Sequence, residues 1–335
     1  MDAHSYMPVL RWKRSEQLAL SDLYPGDANL MLPLVEVVPN MLVENKLDQL
    51  PKQITKAWGG RRLLVDGAPP AAASGGQSEI VYRLLASNAS SVDAGVVPVV
   101  GPSGTLGARR AAIDVAAAFG AGVAFRVTPD KLDSLAQLLS ESGISPEDTD
   151  LVVDFGCVGA NDGRYKSAHS NVPRLNDWRT IVFVGGSFPR DLTGLDVGQH
   201  LLPREEWDLW TDLSKRAAGR IPLYGDYATQ HANYAEPPRF ANVSASIRYT
   251  ARVDWVVMRG EGLQNAGGAG HAQYPANAQL LRERAEYCGP GFSTGDDYIE
   301  LMGTNPPSTG NPASWLRAGL NHHMTLACRQ AANLL

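Results

Sequence analysis

Short β-rich runs of apolar residues recur along the first two thirds of the chain, and polar turns separate them. There are eight: YMPVLRWK (6–13), LMLPLVEVV (30–38), RRLLVDG (61–67), GVVPVVG (95–101), GVAFRVT (122–128), DLVVDFGCV (150–158), TIVFVGGSF (180–188) and IPLYGDYAT (221–229). Runs of this length and composition are typical of buried strands. Their alternation with segments of helical spacing predicts βα units and a parallel sheet.

The segments with helical spacing carry apolar residues at three- and four-residue intervals, as on one face of a helix. They are SEQLALSDL, EIVYRLLASNA, ARRAAIDVAAAFG, KLDSLAQLLSESG and REEWDLWTDLSKRAA. Eight repeats predict an α/β fold, a single closed (β/α)8 TIM-like barrel, and a doubly wound open sheet is the second choice. At 335 residues the chain fits one barrel with additions or two average domains, and the regular alternation favours one.

The pattern changes after the eighth run. SIRYTA (246–251) and DWVVMRG (254–260) indicate two strands joined by a tight turn, either a hairpin or a late barrel strand with its neighbour. The stretch EGLQNAGGAGHAQYPAN that follows has no periodicity, which is typical of a lid or a disordered loop. We expect one domain over 1–335, with the hairpin and a mobile loop of 246–275 over the barrel mouth and C-terminal helices in 276–335.

Ionisable residues lie at or near the C-terminal ends of six of the eight runs. They are Lys13, Glu36, Asp66, Arg126, Asp154 and Asp226. Side chains alternate between the two faces of a strand, so Glu36 shares a face with Leu34. Barrel active sites are assembled at this end of the strands, and a buried charge is costly unless it is paired. We therefore expect these side chains to converge on one paired network at the barrel mouth.

The predicted network contains four acids and two bases, so negative charge is in surplus. A divalent metal ion or a cationic ligand group would offset the surplus, and so would Arg248 and Arg259 of the hairpin. An oxygen-rich Mg²⁺ or Mn²⁺ site made of Glu36, Asp66, Asp154 and Asp226 is chemically sensible. No ligand spacing identifies such a site, so the use of a metal stays open.

Each of these residues receives a role if the site performs chemistry. Proton transfer is assigned to Lys13 or Asp226, because each carries a titratable group at the predicted mouth. Arg126 and Arg259 would hold an anion. The carboxylates of the second, third and sixth runs would orient their partners or carry a divalent ion.

Three further positions add candidates. VGGSFPRDL (184–192), which contains Ser187, follows the seventh run, where barrels often bind phosphate through backbone amides; an ordinary turn is the alternative. In GDYATQH (225–231), Tyr227 and His231 could donate or shuttle protons, although a histidine on a loop is more often plain surface. Cys157 is either a reactive thiol or a small apolar side chain, and the second is commoner.

The composition argues against several classes of protein, although nucleic-acid processing stays open as a third interpretation that salt-sensitive binding would support. A net charge of −5 without a dense basic run gives no electrostatic footprint for nucleic acid. Three scattered cysteines make no disulfide framework, and neither H-E-x-x-H nor C-x-x-C is present to support zinc. The N-terminus lacks an apolar signal segment, and no run of about 18 apolar residues could span a bilayer. We expect a cytoplasmic protein without membrane attachment.

Several short motifs together resemble the "beta protein" family of phages and bacterial mobile elements. They are YMPVLRWK, PLVEVVP, LLVDG, the PVV of the fourth run, FRVT, LVVDFG, YGDYA and the late RYT and WVVMRG. The resemblance runs over nearly the whole chain, and it implies that Lys13, Glu36, Asp66, Arg126, Asp154, Asp226 and Arg259 are characteristic polar positions. The family brings no established activity, and its genomic setting implies a role in phage defence or counter-defence.

Together these patterns predict a barrel protein whose charged C-terminal face binds a polar or phosphorylated small molecule, such as a nucleotide-derived compound. Whether the protein is also an enzyme stays open. The alternative is a non-catalytic platform that binds a protein partner in a defence complex, with the mouth charges as structural pairs.

Overall fold

The computed structural model describes residues 4–42, 46–67, 76–233 and 240–333, and a closed barrel of eight parallel strands lies at its centre. In chain order these strands are β1 (Tyr6–Arg11), β2 (Leu34–Glu36), β3 (Arg62–Asp66), β4 (Gly95–Val100), β5 (Val123–Val127), β6 (Thr149–Cys157), β7 (Thr180–Gly186) and β9 (Leu223–Asp226). Seven of these strands lie within the apolar runs, and β6 begins one residue before its run, at Thr149. The predicted (β/α)8 barrel is therefore confirmed.

Helices surround the barrel and extend it at the C-terminus. They are α1 (Arg14–Ser21), α2 (Pro25–Ala28), α3 (Leu50–Trp58), α4 (Gln77–Ser87), α5 (Leu106–Phe119), α6 (Leu135–Ser142), α7 (Arg164–Asn171), α8 (Glu205–Arg216), α9 (Gln273–Arg282), α10 (Thr294–Thr304) and α11 (Pro312–Ala331). The five helices that apolar spacing predicts between the runs are present. The spacing missed α2, α3, α7 and α10.

Alternation along the strands divides the core into two layers. The inward positions are apolar in the lower and middle barrel, where Met7, Val9, Leu34, Leu64, Val97, Val152 and Val182 pack on one another. The outward positions, such as Leu63, Val65 and Phe183, pack against the helices in a larger core. Because helices cover the outer face, both faces of these strands are buried and the runs are apolar almost throughout.

The barrel closes where β9 pairs with both β1 and β7. Gly225 of β9 lies at this closure and points inward. A Cβ atom added there would lie 2.8 Å from Cγ2 of Val184 and 3.0 Å from Cγ1 of Val182. The interior of the barrel therefore leaves no room for a side chain at Gly225.

A small antiparallel sheet lies outside the barrel. Strands β10 (Ile247–Thr250) and β11 (Asp254–Arg259) form a hairpin, and the sequence-based alternative of a late barrel strand is wrong. A strand that we did not anticipate, β8 (Gly198–Pro203), pairs with the other edge of β11. Side chains of this sheet form a separate apolar cluster with the C-terminal helices.

The hairpin also meets the loop that follows β9, because Arg248 donates to the carbonyl oxygen of Thr229 at 2.8 Å. Our prediction that residues 246–275 form a mobile cover over the mouth remains a prediction.

We expect Gly225→Ala to lower the free energy of unfolding by about 1–3 kcal/mol, because the new methyl group overpacks the barrel interior against Val184. Urea denaturation measures the change. Gly26→Ala is the matched control, since it adds the same methyl group at a helix position with nothing within 4 Å. Equal effects of the two substitutions would contradict close packing at Gly225.

Candidate functional site at the barrel mouth

Four charged side chains point into the C-terminal end of the barrel. They are Glu36 of β2, Asp66 of β3, Arg126 of β5 and Asp154 of β6, and they are 3%, 5%, 6% and 4% exposed. Each follows an inward apolar residue by two positions along its strand, as Glu36 follows Leu34. The sequence-predicted convergence holds for these four residues.

Arg126 is the centre of this cluster. Its Nη1 donates to Oε1 of Glu36 at 2.9 Å and to Oδ2 of Asp66 at 2.8 Å. Its Nε donates to Oδ2 of Asp154 at 3.0 Å, and Nη2 lies 2.8 Å from the same oxygen. One guanidinium thus binds carboxylates from three strands, two of which, β2 and β3, are adjacent.

Tyr227, the residue after β9, completes the cluster from the opposite side of the barrel. Its hydroxyl accepts from Nη2 of Arg126 at 3.1 Å and donates to Oδ1 of Asp154 at 2.6 Å. Its ring lies over the end of β7, where a Cβ atom on Gly186 would be 3.0 Å from the ring. The absence of a side chain at Gly186 therefore makes room for Tyr227.

A second guanidinium, that of Arg11 at the end of β1, lies in the same region and was not among our predicted site residues. Its Nη1 donates to Oε1 of Gln230 at 2.5 Å, and its Nη2 donates to the carbonyl oxygens of His231 and Ala232. Nε2 of Gln230 in turn donates to Oε1 of Glu16 at 2.8 Å. This chain of contacts fixes the loop after β9 across the end of β1.

Our prediction that the first strand extends to Lys13 is wrong. β1 ends at Arg11, and Lys13 is the half-buried N-cap residue of α1. The inward charged residue of the first strand is therefore Arg11, because the chain turns into the helix before Lys13. A catalytic role for Lys13 stays a prediction.

The mouth holds more carboxyl groups than guanidiniums. Burial raises the pKa of Glu36, and the positive charges of Arg126 and Arg11 oppose the rise. Burial also raises the pKa of Glu16, which is 1% exposed and has no hydrogen-bond partner at Oε2. Both shifts favour retention of a proton, which lowers the cost of the surplus negative charge.

Asp226 lies outside this cluster, contrary to our expectation. Like Tyr224, it points outward from β9, whereas Gly225 and Tyr227 point inward. Its carboxylate accepts from the hydroxyls of Tyr6 at 2.6 Å and Tyr224 at 2.7 Å. Our prediction that Asp226 shares the mouth is wrong, because its side chain lies on the outer face of β9.

The outward carboxylate of Asp226 belongs to a buried polar group between the barrel and α11. Nε2 of His323 lies 2.9 Å from its Oδ2, and the amide of Ala228 donates to Oδ1 at 2.9 Å. Burial alone would raise the pKa of Asp226, but His323, Arg204 and Tyr6 outweigh it and bring the pKa to about 2. Asp226 is thus an ionised anchor for the loop that carries Tyr227.

Ser187 and Arg259 are also separate from the mouth cluster. Both the amide and the hydroxyl of Ser187 donate to Oε2 of Glu206, so an internal carboxylate holds the place where we expected a phosphate. Arg259 donates to the carbonyl oxygens of Leu192 and Gly260 beyond the end of β11. The five site residues that the structure brings together are Glu36, Asp66, Arg126, Asp154 and Tyr227.

The donor set of the mouth does not form a metal cage. Within the described ranges, no group of three or more His, Cys, Asp or Glu side chains is arranged to hold a metal ion. The three carboxylates turn their oxygens toward Arg126, and a fourth predicted ligand, Asp226, points away. The three carboxylates therefore share the guanidinium of Arg126 as their partner, and the use of a metal stays open.

We expect Arg126→Met to lower the free energy of unfolding by about 3–5 kcal/mol near neutral pH, because it leaves three buried carboxylates without their partner. Loss of the guanidinium also raises the pKa of Glu36 further. A group with a raised folded-state pKa favours the folded state at low pH, so part of the loss should return at about pH 5. Urea denaturation at both pH values measures the effect.

Arg83→Met is the control for this substitution, because Arg83 is 72% exposed in its side chain and pairs with Glu79 along one helix. We expect a change of less than about 0.5 kcal/mol there. A similarly small effect at Arg126 would contradict a structural role of the guanidinium.

Glu206 predicts a pH dependence of stability. Burial raises its pKa from 4.5 to about 7, against the opposing charge of Arg204. Its contribution is complete below the unfolded-state pKa and is lost as the pH rises through about 7. Relative to Glu206→Gln, the wild-type free energy of unfolding should fall by about 3 kcal/mol across this range. Parallel stability curves of the two proteins in urea denaturation would refute the raised pKa.

None of the helices in the described part of the chain is both long and apolar enough to cross a membrane. A search of curated proteins gives no match. The model of a family described as Beta protein matches residues 6–329, from the first residue of β1 into the last turn of α11. This match spans nearly the whole sequence, and the chain belongs to the Beta protein family.

Proposed function

We propose that the C-terminal mouth of the barrel binds a polar small molecule. The observation that carries this proposal is the convergence of Glu36, Asp66 and Asp154 on Arg126 at the end of an otherwise apolar barrel interior. Well-packed apolar residues are often at least as stabilising as a buried ion network of this kind. A network that apolar packing could replace is better explained by a ligand that uses it, and (β/α)8 enzymes bind their ligands at this end.

The chemistry of the mouth favours a ligand rich in hydrogen-bond donors. Carboxylate oxygens are acceptors, and the donors of Arg126 are directed to the three carboxylates and Tyr227. Hydroxyl or amino groups of a sugar or nucleoside would suit the carboxylates. If the ligand is phosphorylated, its phosphoryl group lies away from these carboxylates, because like charges repel.

We further propose that ligand binding serves a role in conflict between phages and their hosts. The support for this setting is membership of the Beta protein family. The resemblance described in the sequence analysis implies that this family occurs in phages and bacterial mobile elements. The alternative function, a platform for a protein partner, uses the same barrel without a ligand in its mouth.

We expect a polar compound to co-purify with the full-length protein and to be reduced at least about tenfold in Asp154→Asn and Glu36→Gln, because each substitution removes a charged acceptor worth about 1.5–3 kcal/mol. Mass spectrometry of the small molecules released by denaturation measures the compound. Phage plaque counts on cells that produce each variant test the biological setting.

Asp150→Asn is the matched control, because Asp150 lies on the same strand as Asp154 and is equally buried. It pairs with Arg62 and Arg179 at the opposite end of the barrel. We expect this variant to lose stability and to keep the compound. Equal amounts of the compound in the Asp150 and Asp154 variants, or none in the wild type, would refute the ligand site. Unchanged protection of cells by the Asp154 variant would favour the platform.

A further inference from the structure

Cys157 and His231 meet at the rim of the barrel mouth. Sγ of Cys157 lies 3.2 Å from Nε2 of His231, which is hydrogen-bonding distance for a thiol and an imidazole. Cys157 is exposed and His231 is half-buried, so solvent and small molecules can reach the sulfur. Cys157 is the last residue of β6 and His231 lies in the loop after β9, at a sequence separation of 74. Their contact is therefore a product of the fold.

The local backbone positions both residues. Gly156, with φ of +62°, stands where the β6–β7 register shifts, and the left-handed conformation redirects β6 just before Cys157. The loop after β9 crosses the end of β7, where Gly186 leaves space for Tyr227 and Ala232. This crossing carries His231 over β7 to Cys157.

His231 has a suitable partner in either protonation state. Its Nδ1 lies 3.2 Å from the amide nitrogen of Asn233 and 3.3 Å from the carbonyl oxygen of the same residue. For Nε2 to take the thiol proton, the neutral imidazole must carry its own proton on Nδ1, where it donates to the carbonyl oxygen of Asn233. The protonated ring keeps the same hydrogen bond. The ring can therefore take a proton from the thiol and keep a hydrogen bond at Nδ1.

Two guanidiniums, those of Arg164 and Arg11, lie near the pair. Arg164 donates to the carbonyl oxygen of Cys157 at 3.0 Å and is itself paired with Asp162. Arg11 donates to the carbonyl oxygen of His231. Both guanidiniums bind backbone carbonyl groups, so they help to fix the backbone of the two residues that form the Sγ–Nε2 contact.

We propose that Cys157 and His231 are a nucleophilic pair that transfers an acyl group from an ester or amide of the ligand to water. The proposal rests on the ligand site at the mouth. Asp154 of that site lies on β6, and Cys157 is the last residue of the same strand. The pair has the geometry of thiol-based acyl transfer, in which the base lies within hydrogen-bonding distance of the nucleophile.

The step balances with water as the only co-reactant. The Sγ proton passes to Nε2 of His231, and the thiolate attacks the carbonyl carbon to form a C–S bond. The bond from that carbon to the leaving oxygen or nitrogen breaks, and the leaving group takes the proton from Nε2. Water then attacks the thioester and gives its proton to Nε2, and release of the sulfur restores the pair.

The other cysteines lack this arrangement. Burial raises the pKa of Cys288, which has no histidine contact among the described residues. Cys328 is buried in α11, and burial raises its pKa as well. Cys288 therefore serves as an exposed internal control in the same protein.

Alkylation of the full-length protein by iodoacetamide, followed by peptide mass spectrometry, tests the pair. We expect Cys157 to react faster than Cys288 at one fixed pH, because His231 can take the proton of the attacking thiol. In His231→Gln, the rate at Cys157 should fall at least about tenfold, and the rate at Cys288 should not change. An unchanged rate at Cys157 in that variant would overturn the proposal.

Acylation by p-nitrophenyl acetate tests the reaction itself. We expect one acetyl group on Cys157 in the intact mass of the wild type, none at this position in Cys157→Ser, and at least about tenfold slower formation in His231→Gln. An unacetylated Cys157 in protein that iodoacetamide alkylates at this residue would overturn the acyl-transfer assignment. Cys157→Ser separates the two proposals, because it should lose the acetyl group and keep the co-purified compound, whereas Asp154→Asn should lose the compound.

Discussion

The ion cluster around Arg126 sets the character of the whole barrel mouth. A guanidinium inside a barrel is tolerated only when its donors are satisfied, and here carboxylates from β2, β3 and β6 and the Tyr227 hydroxyl satisfy them. Because these partners come from distant parts of the chain, the cluster holds opposite sides of the barrel at a fixed separation. It also gives the mouth a polar floor directly above an apolar interior.

The inward charges of the middle strands could be predicted from sequence because each lies two positions after an apolar inward residue. The same rule failed for Asp226, since both faces of a barrel strand are buried and periodicity does not say which face is the inner one. It failed for Lys13 because the strand ends at Arg11 and the helix begins. The links from Arg11 to Gln230 and from Cys157 to His231 depend on tertiary contacts, which leave no local signal.

The helices and strands also differ in whether a local sequence pattern or a distant partner determines them. The segment RYKSAHSN of α7 is mostly polar, and only Tyr165, Ala168 and His169 are buried, so its pattern is too weak to predict a helix. Strand β8 alternates between partly buried and exposed residues, and it becomes a strand because β11 pairs with it. Long runs that bury both faces were predictable, whereas elements that a distant partner stabilises were not.

The anchoring of the loop after β9 by Asp226 has a consequence for how the protein matures. Asp226 holds the amide of Ala228, whose φ is +50°, and its own position depends on His323, 97 residues later. During synthesis the eight barrel strands leave the ribosome before α11 does. We therefore expect the loop after β9 to reach its final position only after α11 docks against Asp226.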